Sequence, residues 1–319
     1  MNTRVEIQVC GCVRRRSPQG DVTHLLTFSS LSMHPILSAS TTDSNSHKGS
    51  CRKCKMPAEL GFAFSYAFQP IVDIRAHQIY AHEALIRGPT GESAMSVLAQ
   101  VTERNRYTFD QACRVKAIEL AASYEMTSRL SINFFPNAIY RPEVCIRTTL
   151  AAASAHAFPI DRIIFETVEG ERVTDGPWFA EVLREYQRIG FLTAIDDFGA
   201  GFAGLNLLAD FQPDLVKLDM GLIRGIDQRQ SAQRIVEHIV RLCASLGVRV
   251  IAEGIETAEE FRCLEALGIE LMQGYLFARP QFKGRSDNSS IAWPLSAAAD
   301  ADNYPDDLFG SSVWPRRTP

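Results

Sequence analysis

The sequence predicts an α/β chain built as a (β/α)8 barrel, and two observations carry that prediction. Short apolar segments and helical patterns alternate about eight times between Gly61 and Phe282, as repeated βα units require. Most of the apolar segments also finish on a residue bearing a side-chain oxygen. A barrel gathers the C-terminal ends of its strands on one rim, so these endings would meet there. A doubly wound open sheet is the competing architecture, and alternation alone does not separate the two.

Residues 1–57 differ from the rest: rich in Ser, Thr, His and Arg (LSASTTDSNSHKGS is the extreme), they hold no sustained period, and a flexible segment is expected. The alternative is a true start at Met33 or Met56. Cys10 with Cys12 and Cys51 with Cys54 form CxC and CxxC pairs. That polar tract separates them without regular finger spacing, so incidental reduced thiols are the expected reading and a structural zinc or redox role the alternative. The expected strands are Phe64–Phe68 with Ile71 and Val72, then Ile79–Leu85, Leu130–Asn133, Ile163–Glu166, Phe191–Asp196, Leu215–Leu218, Val248–Glu253 and Leu271–Gln273. Helices are expected over Tyr107–Glu125, Trp178–Ile189 and Gln228–Leu246, the last marked by Ile235, Ile239, Leu242 and Leu246 at helical spacing. A further helix opens at Thr257, which with Glu260 spells a capping box, and stops at Gly268. After Phe282 the pattern dissolves, and residues 283–319 read as a loose tail.

Composition sets bounds on function. The 319-residue chain is 46% hydrophobic, enough for a filled core, and its net charge of −4 gives no argument for a nucleic-acid polymer as partner. No apolar run approaches the roughly 20 residues that span a bilayer. The start, MNTRVEIQVCGCVRRR, lacks the apolar region of a secretory leader. A cytoplasmic protein without a membrane partner is expected.

The polar strand ends carry the chemistry. Glu83 stands near the end of the second strand, Asn133 closes the third, and Glu166 closes the fourth with Glu169 three residues on. Asp196 and Asp197 close the fifth, Lys217 sits inside the sixth, Glu253 ends the seventh and Gln273 the eighth. A single Glu or Asn at a strand end ordinarily caps a helix or pairs with a surface charge. Four strands aiming carboxylates at one mouth, with one lysine against them, are untenable unless divalent cations neutralise the cluster. The donors are hard oxygens without His or Cys, which selects Mg²⁺ or Mn²⁺ over zinc. His82, beside Glu83, points to the opposite face of its strand and is not expected to be a ligand.

Gly199, Gly201 and Gly204 spell GxGxxG, and Asp219 follows where a ribose-binding acid would stand. The nicotinamide reading fails on charge, because Asp196 and Asp197 directly precede the glycines and would repel a pyrophosphate. The segment from Leu205 to Phe211 is also too short for the usual crossover helix.

With these residues assembled, the chain resembles the EAL-domain family of cyclic di-GMP phosphodiesterases. The triplet Glu83-Ala84-Leu85 stands in EALIRG, and FQPIVD, NFFP, ETVE, IDDFGAG, KLD, AEGIET and QGYLFARP follow the family's order over about residues 61–282. The resemblance implies a modified TIM-like barrel with one antiparallel strand, a catalytic domain over 58–282, a homodimer, and hydrolysis of cyclic di-GMP to linear pGpG. It implies that Glu83, Asn133, Glu166 and Asp196 hold one metal, with Asp196 bridging to a second held by Asp197 and Glu253. Lys217 would orient the attacking water and, with Glu253 and Glu169, make up the catalytic set, Glu169 bracing the loop after Asp197. Gln69 and Arg87 would grip the guanine and phosphate of the substrate, and Gln273 would lie near the metals' water shell. Some members of the family have lost catalysis and act as receptors or protein binders. Here every matched ligand position is retained, but Ala200, Phe202, Ala203 and Gly204 stand where relatives carry a threonine and serines.

Overall fold

A computed structural model describes residues 60–139, 141–168, 176–200 and 204–294. The strands are β1 (Ser65–Asp73), β2 (Gln78–Arg87), β3 (Arg129–Asn133), β4 (Ile163–Val168), β5 (Leu192–Phe198), β6 (Leu215–Leu218), β7 (Arg249–Ala252), β8 (Leu271–Met272) and β9 (Gln281–Phe282). Strands β2 to β8 are parallel and neighbour one another in chain order. β1 pairs antiparallel with both β2 and β8, which closes an eight-stranded barrel and excludes the open sheet. β9 adds an antiparallel pairing to β1 at Ala67 and Phe68.

The reversed strand has a local cause. Only four residues, 74–77, join β1 to β2, and a connection that short permits only antiparallel pairing. Asp73 organises the turn, its carboxylate accepting from the amides of Arg75 and Ala76, while His77 takes the left-handed conformation at φ 54°.

The helices are α1 (Ala94–Leu98), α2 (Arg106–Ser123), α3 (Pro142–Cys145), α4 (Arg147–Ala155), α5 (Gly176–Ile189), α6 (Gly204–Asp210), α7 (Met220–Ile223), α8 (Gln230–Ser245) and α9 (Ala258–Ala266). One large apolar cluster joins β1–β4 to α2, α4 and α5, and a second joins β5–β8 to α8 and α9. A smaller third cluster includes Ile71, Ala81, Ile164, Ala194, Leu215, Ile251 and Leu271, one residue from each of seven strands. Strand side chains alternate between faces, so the residues two further along share the face of this layer. Those residues are Glu83, Glu166, Asp196, Lys217, Glu253 and Gln273, with Gln69 two residues back on the reversed β1. An apolar layer thus forms the floor on which the polar residues stand.

Two expectations change. The apolar repeat that marks α8 is not its buried face: Ala232, Val236 and Cys243 are buried, whereas Ile235, Leu242 and Leu246 are exposed at 49%, 39% and 39%. The loose tail does not begin at 283, because residues 283–294 pack on the barrel. Ser286 and Ile291 are buried, Asp287 caps a short 3-10 turn, and Trp293 stacks on His77 at 3.9 Å. The cysteine pairs Cys10–Cys12 and Cys51–Cys54 lie outside the described residues. Among the described residues, no helix is long and apolar enough to cross a membrane.

Candidate active site

Lys217 is the centre of the site. It is 1% exposed, and its Nζ lies 2.6 Å from Glu253 Oε1, 3.0 Å from Glu166 Oε2, 3.1 Å from Asp196 Oδ1 and 3.4 Å from Glu83 Oε2. Asn133 donates to Glu83 Oε1 at 3.1 Å and Glu166 Oε2 at 3.5 Å, and Gln273 donates to Glu83 Oε2 at 2.9 Å. Ser131, which sequence reasoning missed, donates its hydroxyl to Glu166 Oε1. Its signal was available, for it stands two residues before Asn133 on the same strand face.

Asp197 belongs on the opposite face by alternation, yet it joins the site. The β5–β6 register breaks between Ile195 and Phe198, and Asp197 takes φ 54°. Such a break re-aims a side chain. The Asp197 amide donates back to Asp196 Oδ1 at 2.9 Å.

The electrostatics are frustrated. Burial disfavours the charge on Lys217, but the surrounding carboxylates outweigh it and hold the amine well above its usual range. Burial, with Glu83 and Asp196 nearby, pushes Glu166 up to about 8 against the pull of Lys217. Burial also holds Glu253 well above the carboxylate range and raises Asp197, with Asp196 adding repulsion to each. Glu83 is the exception: burial pushes it up, but Lys217 and the donors Gln273 and Asn133 bring it below its ordinary value. One ammonium does not balance five carboxylates, so protons or further cations must.

A divalent metal fits these residues. Oxygens of Glu83, Glu166 and Asp196 lie within 4.8 Å of one another, as do oxygens of Asp196, Asp197 and Glu253. Asp196 belongs to both groups. The buried Oε1 of Gln273 has no hydrogen-bond partner and offers another hard acceptor beside them.

A cavity of about 320 Å³ opens over the cluster, lined in part by Gln69, Leu85, Met220, Arg224, Glu256 and Tyr275. Of these only Gln69 was expected, and its Nε2 donates to the Ala278 carbonyl at 3.3 Å. Arg87 does not line the cavity, its Nη1 instead donating to the Ile86 carbonyl at 2.7 Å. Glu169 lies outside the described residues. Gly254, at φ +71°, is required where it stands, since a Cβ would come within 2.8 Å of Met220 Cβ. Asp219, the acid of the nicotinamide reading, instead caps α7 by accepting from the Gly221 amide at 2.9 Å. His82 is buried away from the acids: its Nε2 faces the Ser286 carbonyl at 3.0 Å and its Nδ1 the Ser128 hydroxyl at 2.7 Å.

Comparison with known proteins follows the same boundaries. The sequence profile of the EAL domain matches residues 61–280. The blue light- and temperature-regulated antirepressor BluF of Escherichia coli is 35% identical over 230 residues, 72% of this chain and 56% of that protein. The cyclic di-GMP phosphodiesterase PA2567 of Pseudomonas aeruginosa is 28% identical over 225 residues, 68% of this chain and 38% of that protein. The chain therefore spans little more than half, or less, of these curated relatives. Among solved structures, a standalone EAL protein from Vibrio cholerae in its c-di-GMP-bound form is 54% identical at TM-score 0.69, covering 71% of this chain and 95% of that one. BlrP1 of Klebsiella pneumoniae, in a manganese and cyclic di-GMP complex, is 36% identical at TM-score 0.69, covering 76% and 60%.

Proposed function

The chain belongs to the EAL-domain family, and from that premise we propose that it hydrolyses one phosphodiester bond of cyclic di-GMP to give linear pGpG. The observation that carries the reading is Asp196, shared between two groups of acid oxygens. That arrangement suits two divalent cations, Mg²⁺ or Mn²⁺, with Glu83, Asn133 and Glu166 on one side and Asp197 and Glu253 on the other. When bound, such a pair lowers the pKa of water from about 15.7 towards about 7 and neutralises the phosphodiester.

The chain's own residues then divide the work. Lys217, fixed among the acids, donates to the attacking water and orients it for in-line approach. Glu253, 2.6 Å from the Lys217 ammonium, stands beside the place where that water would be held and is the group that would accept its proton. The water oxygen bonds to phosphorus, the opposite P–O bond breaks, the ring opens, and the freed ribose oxygen takes up a proton from solvent to become a hydroxyl. Gln69 faces the cavity and reaches the guanine, whereas Arg87 must leave the Ile86 carbonyl to offer its fork to a phosphate oxygen. Glu169 would brace the loop after Asp197. The proposed catalytic domain spans 58–282 and acts as a cytoplasmic homodimer.

A second reading, a receptor or protein-binding module without turnover, is favoured by the 35% identity to an antirepressor and by the Ala200–Gly204 departures. Purified protein with Mg²⁺ or Mn²⁺ is expected to convert cyclic di-GMP to pGpG, and Glu83→Ala to abolish conversion. Binding without turnover would decide for the receptor. Comparing wild type with Ala200→Thr shows whether the loop's lost hydroxyl lowers the rate.

A further inference from the structure

A larger cavity, of about 570 Å³, lies at the opposite end of the barrel, where the parallel strands begin. Its walls include Tyr80 and His82 of β2, Ser128 and Arg129 at the start of β3, Asp161 and Arg162 just before β4, and Arg285–Asn288 of the C-terminal segment. None of these serves the metal site. The cavity is basic within an acidic chain, because three guanidiniums and two carboxylates line it and none of the three forms a salt bridge among the described residues.

Arg129 lies over the Tyr80 ring at 4.4 Å, and its buried Nε has no hydrogen-bond partner. Arg285 donates only to backbone, through Nε to the Tyr124 carbonyl at 2.7 Å and Nη1 to the Ser286 carbonyl at 3.5 Å. Arg162 is exposed, and its side chain makes no polar contact among the described residues. Two acids share the lining: Asp161 is exposed without a salt bridge among the described residues, and Asp287 accepts from the amides of Ser289 and Ser290 at 3.1 Å while feeling the charge of Arg285. Arg249, on the same Tyr80 ring at 4.8 Å, shows the contrast: Asp73 neutralises it at 3.2 Å.

We infer that this cavity is a second ligand site, specific for a small phosphate-bearing anion. The free guanidinium fork of Arg162 can take two phosphate oxygens at once, and Arg129 and Arg285 add their charge and their remaining N–H donors. Recognition is through charge rather than a base, because of the two rings in the wall Tyr80 is covered by Arg129 and His82 is held at both nitrogens by Ser128 and Ser286. The volume suits a diphosphate or a sugar phosphate better than a lone phosphate ion.

The test is calorimetric titration of the full chain in excess chelator with inorganic phosphate, diphosphate and ribose 5-phosphate, at matched ionic strength. Saturable binding of at least one probe is expected, and the order of affinities identifies the source of the phosphate. Arg162→Ala and Arg285→Ala should each weaken it by about tenfold, as loss of one charged hydrogen-bonding group does, with circular dichroism unchanged. Arg162 is a solvent-exposed side chain, so that variant is expected to fold whatever Arg285→Ala does. The inference is overturned if no probe saturates in the millimolar range, or if both variants bind as wild type does. It is also overturned if Asp196→Asn, rather than the arginine variants, alters the affinity. The outcome does not depend on turnover of cyclic di-GMP.

Discussion

Lys217 shows how one side chain holds together a site built mainly of repelling groups. Its ammonium touches four carboxylates, three on strands β2, β4 and β5 and one directly after β7, and without a metal it is their only close cation among the described residues. Removing one partner of a buried ionic cluster leaves charge uncompensated and costs about 3–5 kcal/mol. Lys217→Met, similar in length but uncharged, should therefore lose roughly that much stability in chelator and show no turnover. Manganese binds the folded state and should restore much of the loss. Urea denaturation of wild type and variant, in chelator and in Mn²⁺, reads the effect. Equal midpoints in chelator would mean that the acids are neutralised by protons instead. Asn133 and Gln273 share the task at lower cost, since their amides satisfy Glu83 without adding charge.

At the scale of elements, the helix that follows Glu253 is fixed by its first turn. Thr257 accepts from the Glu260 amide at 3.2 Å, and Glu260 returns to the Thr257 amide at 3.1 Å and the Glu256 amide at 2.9 Å. Its other oxygen accepts from the Gly225 amide at 2.8 Å, so one carboxylate ties the α9 cap to the turn after α7. Burial alone would raise the Glu260 carboxyl, but these backbone donors outweigh it and lower the pKa. A depressed folded value contributes stability above the unfolded value of about 4.3, and that contribution disappears as pH falls through the lower folded one. Glu260→Gln should thus cost about 1 kcal/mol at neutral pH, and the difference should shrink below about pH 4. Chemical denaturation of the pair across that range checks it, and a pH-independent gap would refute it. The capping box was legible because its signal is local, Thr and Glu at fixed spacing. Arg114 on α2 was not. It reads as a surface residue, yet it is fully buried, paired with Asp110 at 2.8 Å and the Tyr186 hydroxyl at 2.9 Å. Asp110 is a local partner four residues back on the same helix, but the burial and the bond to Tyr186 are set by the docking of α2 against α5, which no window of sequence contains.

At the scale of the molecule, the barrel and its polar rim were legible because strand periodicity puts Ala194 and Asp196, or Leu215 and Lys217, on one face. The four-residue turn before β2 already dictated the reversed β1. What escaped was anything decided by long-range packing: the cavity walls from Met220, Arg224 and Tyr275, and the exposed side of α8. That side bears on assembly. Ile235, Leu242 and Leu246 expose large apolar side chains along one helix, and Leu205 on α6 is 64% exposed. The homodimer proposed above would find in this row of side chains a surface to cover, with the same row on the second copy. The α6 helix lies directly after the loop that leaves Asp197, so an interface covering Leu205 would also steady that acid. The paired substitution Ile235→Glu and Leu242→Glu should therefore yield a monomer, because placing charge in a desolvated interface costs several kcal/mol. Light scattering after size exclusion gives the mass, and turnover measured at matched concentrations gives the consequence. A monomeric variant with reduced turnover and an unchanged melting curve is expected. A wild type that is itself monomeric at micromolar concentration, or a dimeric variant, would remove α8 from the interface. A monomer with full activity would keep the interface but cut its link to Asp197.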